Sequence, residues 1–215
     1  MQKSLKIARK DPNSKKGIIL KAARKMFGKY GFHGATTRII SDEAGIDVAN
    51  LHYHWGEKAD LYKAVIMDIN EDLRQKLLAL EKVVHGLPLR EHMSIALDVL
   101  VSYLFEHSEI PRALLYRHFV EIRNSESNEL DVPMFISNIA YSTGLSNTRQ
   151  DVSPRHKMQV LAIMNLTYSF ISGAESFQKA LKIGKDEYLV LVKETLKFVF
   201  IPPFTDCEQG EQNGG

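Results

Sequence analysis

The apolar positions of this chain recur at helical spacing along almost its whole length. Ile19, Ala22, Ala23, Met26, Phe27 and Tyr30 share one helix face, predicting a helix from about Ser14 to Tyr30 that Gly31 stops. Two short helical phrases follow between Thr36 and Lys58. In the first, Ile40 and Ala44 fall together at i, i+4; in the second, Leu51 and Trp55 do the same. Gly45 supplies the turn between them, since glycine enters the left-handed region without steric cost. Thr36 or Thr37 is placed to cap the first phrase and Asp47 the second, because a side-chain oxygen there accepts from an orphan helix-start N–H. From Leu61 to Val84 one apolar stripe (Leu61, Val65, Ile69, Leu73, Leu77, Leu80) continues for about seven turns. A helix of that length spans about 40 Å at 1.5 Å per residue and ends before Gly86 and Pro88.

The remainder reads as a helical bundle. Leu89 to about His107 is apolar on most sides, as a bundle's central helix must be. Ser108 and Pro111 restart a helix, residues 124–131 (NSESNELD) are a polar break, and Pro133 to Tyr141 is a short helix stopped near Gly144. After the polar loop Ser146–Ser153, Ser153-Pro154 opens a helix expected to reach about Leu181. Asp186 starts a last one, which Pro202-Pro203 should end. No period-two strand pattern occurs, so the fold class is all-α. The last two long helices, about 154–200, hold more apolar surface than one small bundle buries, which predicts a homodimer through them; closure of the monomer's own core is the alternative.

Charge adds a direction. The formal net charge is only +2, but residues 1–40 carry eleven Lys/Arg against the single acid Asp11. Residues 76–215 carry 14 basic and 17 acidic residues. A basic front end on a near-neutral body suits a phosphate-binding module joined to a domain with other duties, or a merely solvated helix face. Val48, Ala49, Asn50 and Tyr53 lie off the inner face of the second short phrase, flanked by His52 and His54. Small, amide and aromatic groups after a glycine turn describe the recognition helix of a helix-turn-helix, or an ordinary surface hairpin. Cys207 is the sole cysteine, so no disulfide can form within the chain. The N-terminus lacks the apolar core of a secretory signal, and no run of about 18 apolar residues occurs. A soluble cytoplasmic protein with no membrane partner is the expectation.

At these residues the chain resembles the DNA-binding domain of the tetracycline-repressor (TetR) family of transcriptional regulators. The resemblance rests on Phe27 to Phe32, Thr36-Thr37, Ile40 to Ile46, and Leu51 to Lys58 with Leu61, and it covers about residues 14–66. Ser41, Ala49, His52 and Trp55 depart from the family's usual Ala, Gly, Tyr and Phe, which leaves the bases read open. The resemblance implies an N-terminal three-helix helix-turn-helix domain followed by a helical-bundle ligand-binding and dimerisation domain. The expected division is a basic flexible arm at 1–13, a DNA-binding domain at 14–60, an effector-binding and dimerisation domain at 61–203, and a disordered tail at 204–215. The implied function is a ligand-responsive repressor that binds a pseudo-palindromic double-stranded DNA operator as a dimer.

Site residues follow from these roles. Thr36, Thr37 and Arg38 would hold the DNA backbone on one side, and Tyr53, His54 and Lys58 on the other. Val48, Ala49, Asn50 and His52 are the candidates for base edges, because Asn pairs bidentately with adenine and Ala or Val touches a thymine methyl. For an effector, the handles are polar groups set in apolar helices: Tyr103, His107, Arg112, Tyr116, Arg117, His118, Asn165 and Tyr168. The richness in Leu, Ile, Met and Phe favours an apolar or aromatic effector. Neither a cofactor nor a metal is expected, since two isolated histidines without a Cys or carboxylate motif make no metal site. No catalytic motif is present either. Two competing classes stay open: a small-molecule-binding helical protein with weakened DNA binding, and a helical enzyme with dispersed residues.

Overall fold

Helix starts follow the local chemistry. Ser14 Oγ accepts from the Gly17 N–H, Thr36 Oγ1 from Ile39, Asp47 from Asn50, and Ser153 Oγ from His156, each opening a helix. The computed structural model describes residues 2–119 and 132–205, except the side chains of 2, 116–119, 132–135, 204 and 205. Among the described residues there are eleven α-helices and no strand: α1 Gln2–Lys10, α2 Lys15–Gly34, α3 Thr37–Ala44, α4 Val48–Trp55, α5 Lys58–Val84, α6 Leu89–Glu106, α7 Glu109–Phe119, α8 Val132–Ser142, α9 Pro154–Ser172, α10 Ala174–Leu181 and α11 Lys185–Thr205. None is long and apolar enough to cross a membrane.

The chain divides into two units, Met1–Asp72 with Ser108–Asn128, and Leu73–His107 with Glu129–Gly215. The first unit holds α1 to α4, the beginning of α5, and α7. Its core is Ile19, Ala23, Phe27, Ile40, Leu51, Leu61, Val65 and Ile110, all buried. Tyr62 meets Phe27 edge-on at 5.0 Å and Phe32 at 5.1 Å between ring centres. Gly28 lets α2 and α7 approach closely: a Cβ there would lie 2.8 Å from Glu109 Cα.

The second unit holds the rest of α5 with α6 and α8 to α11. Leu80, Val84 and Ala96 form a buried cluster covered by Leu87, Ile95, Val99 and Leu100. Val160, Ile171, Val192 and Leu196 bury the inner faces of α9 and α11. Lys197 Nζ donates to Asp98 Oδ2 at 2.6 Å, which ties α11 to α6.

Several expectations are corrected. Residues 1–13 do not form a flexible arm: α1 is helical and docked, because Leu5 and Ala8 are buried and Arg9 ion-pairs with Asp68 and Asp72. The division at 60/61 is replaced by one at 72/73, with α7 joining the first unit through its packing on α2. The helix expected from Ser153 to Leu181 breaks at Gly173, where the Phe177 ring lies 2.6 Å from the place a Cβ would take. The last helix passes through Pro202 and Pro203 to Thr205. Residues 124–131, Cys207 and the tail from 206 onward lie outside the described residues.

Candidate nucleic-acid interface

The turn between α3 and α4 is built locally. Gly45 sits in the left-handed region at φ 65, ψ 36, and the N–H of Ile46 reaches back to the Ser41 carbonyl at 3.1 Å. Asp47 then caps α4 with both oxygens: Oδ1 accepts from the Asn50 backbone N–H and Oδ2 from the Asn50 amide, each at 2.7 Å. These bonds, the backbone one first, hold the Asp47 carboxyl below its ordinary pKa. Inside, Leu51 and Trp55 are buried, and the Trp55 indole N–H donates to the Lys16 carbonyl at 3.3 Å, fastening α4 to the start of α2.

The outer face carries the predicted groups. Ala49, Asn50 and Tyr53 are exposed, with Tyr53 at 83%, and Val48, His52 and His54 are half-buried around them. A phenol that exposed, with its ring 5.1 Å from His54, covers nothing in its own fold. On α3, Thr36 and Arg38 are exposed and Thr37 is half-buried.

Two predicted residues carry internal duties that spacing does not reveal. His52 Nδ1 lies 3.0 Å from the Gly56 carbonyl, so it holds the proton and donates, closing the end of α4. Lys58 Nζ donates to the Phe32 carbonyl at 3.0 Å and lies over the Phe32 ring. Ser41, where the resembled pattern has Ala, is 1% exposed and its hydroxyl has no hydrogen-bond partner.

The basic front end is less available than its count suggests. Arg24 Nη1 reaches Asp68 at 2.9 Å and Asp72 at 2.5 Å, and its Nε reaches Glu109 at 3.3 Å. Burial works against the Arg24 charge, but the hydrogen bond and charge of Asp72, then Asp68 and Glu109, outweigh it and raise its pKa. Arg9 joins Asp68 and Asp72, and Lys25 pairs with Glu43 at 2.6 Å. Sequence reasoning missed this cluster. Its signal was the Asp68/Asp72 pair at i, i+4, which puts two carboxylates on one side of the long helix.

The effector handles fall in both units. The Tyr103 ring lies tilted against His107, 4.6 Å between ring centres, with the Lys76 ammonium 5.2 Å from the Tyr103 ring, in the second unit. Arg112 is in the first unit, and the side chains of Tyr116, Arg117 and His118 lie outside the described residues. Asn165 is exposed and donates to Leu161 of its own helix at 2.8 Å. Tyr168 is buried, and that burial raises its pKa. A groove of about 1220 Å³ does exist in the second unit, lined by Gln75, Glu81, His85, Leu89, His92 and Tyr141 among others, and none of the described handles lines it. Its floor is braced: Glu81 accepts from Ser142 Oγ at 2.5 Å and pairs with Arg149, and His92 Nε2 donates to the Ser142 carbonyl at 2.9 Å. No three His, Cys, Asp or Glu side chains are grouped to hold a metal among the described residues.

Comparison with known proteins places these features. Residues 19–65 match the family described as bacterial regulatory proteins, tetR family. The HTH-type transcriptional regulator RutR of Escherichia coli K12 is 33% identical over 92 residues, which is 42% of this chain and 43% of RutR's own length. The chain's match thus spans less than half of that curated relative. Among solved structures, a TetR-like transcriptional regulator from Rhodococcus sp. RHA1 aligns with a TM-score of 0.56 at 19% identity, over 86% of this chain and 93% of its own. The fatty acid degradation regulator FadR from Bacillus halodurans aligns with a TM-score of 0.54 at 14% identity, over 84% of this chain and 96% of its own. At such identities these two likenesses speak for the fold alone.

Proposed function

We propose that this chain, whose residues 19–65 match the tetR family of bacterial regulatory proteins, is a sequence-specific DNA-binding transcriptional regulator of that family. It acts as a ligand-responsive repressor on a pseudo-palindromic operator, as a homodimer. The observation that carries this is α4: a helix capped by Asp47, anchored by Leu51 and Trp55, and presenting Ala49, Asn50 and Tyr53 to solvent after the Gly45 turn. On this reading Val48, Ala49 and Asn50 face base edges with His52 Nε2 beside them. Thr36, Thr37, Arg38, Tyr53, His54 and Lys58 contact phosphates.

The dimer is supported by α9 to α11, where Met158, Leu181, Leu191, Phe198 and Val199 are exposed apolar side chains. Two copies joined there would hold two reading heads at a fixed separation, as a two-fold operator needs. The groove of the second unit is the place offered to an effector. Its lining mixes Leu78, Leu87 and Leu89 with Gln75, Glu81 and His92, so the molecule it suits is amphipathic rather than wholly apolar. For the effector to release DNA, its affinity must differ between the DNA-bound and free states. A regulator of this kind works beside the chromosome, in the cytoplasm, and carries out no turnover.

The test is selection of bound duplexes from random DNA with the full-length protein, followed by a compound screen for release of the enriched sequence. Enrichment of a two-fold site supports the reading. Binding of small molecules with no enriched duplex would favour a helical ligand-binding protein, and turnover of a substrate would favour an enzyme.

A further inference from the structure

We propose that α1 is a phosphate-binding element that extends the DNA contact of the first unit beyond the helix-turn-helix. Its partner is the backbone of duplex DNA flanking the bases read by α4, and the proposal rests on the DNA-binding reading above. The helix has two faces of different chemistry. Leu5 and Ala8 are buried, and Arg9, on the same side, is drawn to Asp68 and Asp72 of α5. Lys3, Lys6 and Lys10 recur at i, i+3, i+7 on the other side, all exposed and none ion-paired among the described residues. The stretch from residue 1 to residue 10 has no acidic side chain to neutralise them. One cation thus serves as the anchor, and three are left facing outward.

Hydrogen bonds connect α1 to α4. The Trp55 indole of α4 donates to the Lys16 carbonyl at 3.3 Å, and Lys16 Nζ donates to Ser4 Oγ of α1 at 2.6 Å. Two hydrogen bonds therefore lead from the recognition helix, across the start of α2, to the first turn of α1. Lys15, exposed at the start of α2, continues the lysine surface. Simple solvation of a helix face requires only polar residues, whereas this face holds cations of one sign that repel each other until an anion arrives. Because α1 is already folded and anchored, ordering it adds no cost at the moment of DNA binding. Lysine, as a point charge without a fixed fork, suits backbone contact better than base reading.

The experiment measures the affinity of the full-length protein for its enriched duplex over a series of salt concentrations, by fluorescence anisotropy. Each neutralised phosphate contributes about 0.9 to the slope of log affinity against log salt, so K3Q/K6Q/K10Q should lower the slope by roughly 2 to 3 units. The enriched sequence should stay the same, and the difference from wild type should vanish on a duplex trimmed to the bases read. K179Q/K182Q/K193Q, which removes the same charge from the second unit, should leave the slope in place, and circular dichroism melting shows whether each variant is folded. If wild type binds specifically and K3Q/K6Q/K10Q keeps its slope, the α1 proposal falls alone. If wild type binds no duplex, the DNA-binding reading falls and takes this proposal with it.

Discussion

The ammonium of Lys58 donates to the Phe32 carbonyl at 3.0 Å and lies 4.4 Å from the centre of the Phe32 ring. The first residue of α5 is thereby tied to the end of α2, just past the kink at Gly31. An ammonium has three donors, so one bond to Phe32 leaves capacity for a phosphate beside it. Lys58→Met should lower stability by about 1.5 kcal/mol, the usual worth of a hydrogen bond to a charged group. It should also lower the salt slope of DNA binding by about one unit. Denaturant melts and salt titrations read the two effects separately; a stability loss with an unchanged slope would remove Lys58 from the phosphate contacts.

Ser41 is a buried hydroxyl without a partner on the inner side of α3. Removing it removes a desolvation cost without opening a sizeable cavity. Ser41→Ala should therefore raise stability by about 1 kcal/mol. A fall of the urea midpoint would mean the hydroxyl is satisfied in solution.

Asp47 couples α4 to pH. Its folded pKa is lowered from the ordinary 3.8 by the Asn50 backbone bond and then the Asn50 amide. A depressed carboxyl contributes stability that is full above the unfolded value and is lost as pH falls through the folded one. The Asn50 amide resonance should accordingly titrate with a midpoint below 3.8, and Asp47→Asn should abolish that titration. A midpoint at or above the ordinary value would contradict the double cap.

Gly28 faces Glu109, whose Cβ lies 2.6 Å and Cα 2.8 Å from where a Gly28 Cβ would be. Backbone cannot swing aside as a side-chain tip does. Gly28→Val should destabilise the first unit by about 2 kcal/mol or more, as overpacking does. Proteolysis within residues 15–34 should quicken in parallel, and an unaltered melt would show that α2 and α7 can separate without cost.

Phe198 is 81% exposed on α11, beside exposed Val199 and one heptad from Leu191. If that face joins two copies, Phe198→Glu should convert dimer to monomer in sedimentation while keeping the helical circular dichroism. Affinity for a two-fold duplex should fall at least tenfold, and that for a half-site should stay. A variant that remains dimeric places the interface elsewhere.

Features settled within one or two turns were legible in the sequence. The caps at Thr36, Asp47 and Ser153, the Gly45 turn, and the inward Leu51/Trp55 pair all depend on residues three or four apart, where helix geometry alone decides who meets whom. The exposed Ala49, Asn50 and Tyr53 follow from the same geometry. What spacing leaves open is how charges cancel over long separations. Arg9 meets Asp68 and Arg24 meets Asp72 only because α1, α2 and α5 pack together, and that packing turns two of the counted cations inward. The same holds for α1, where four basic residues in a ten-residue stretch suggest a solvated arm until Leu5 and Ala8 find a surface to cover. Local periodicity determined the helices and the outward face of α4; the tertiary structure decided which polar groups remain available on it, because only packing brings distant donors and acceptors within bonding distance.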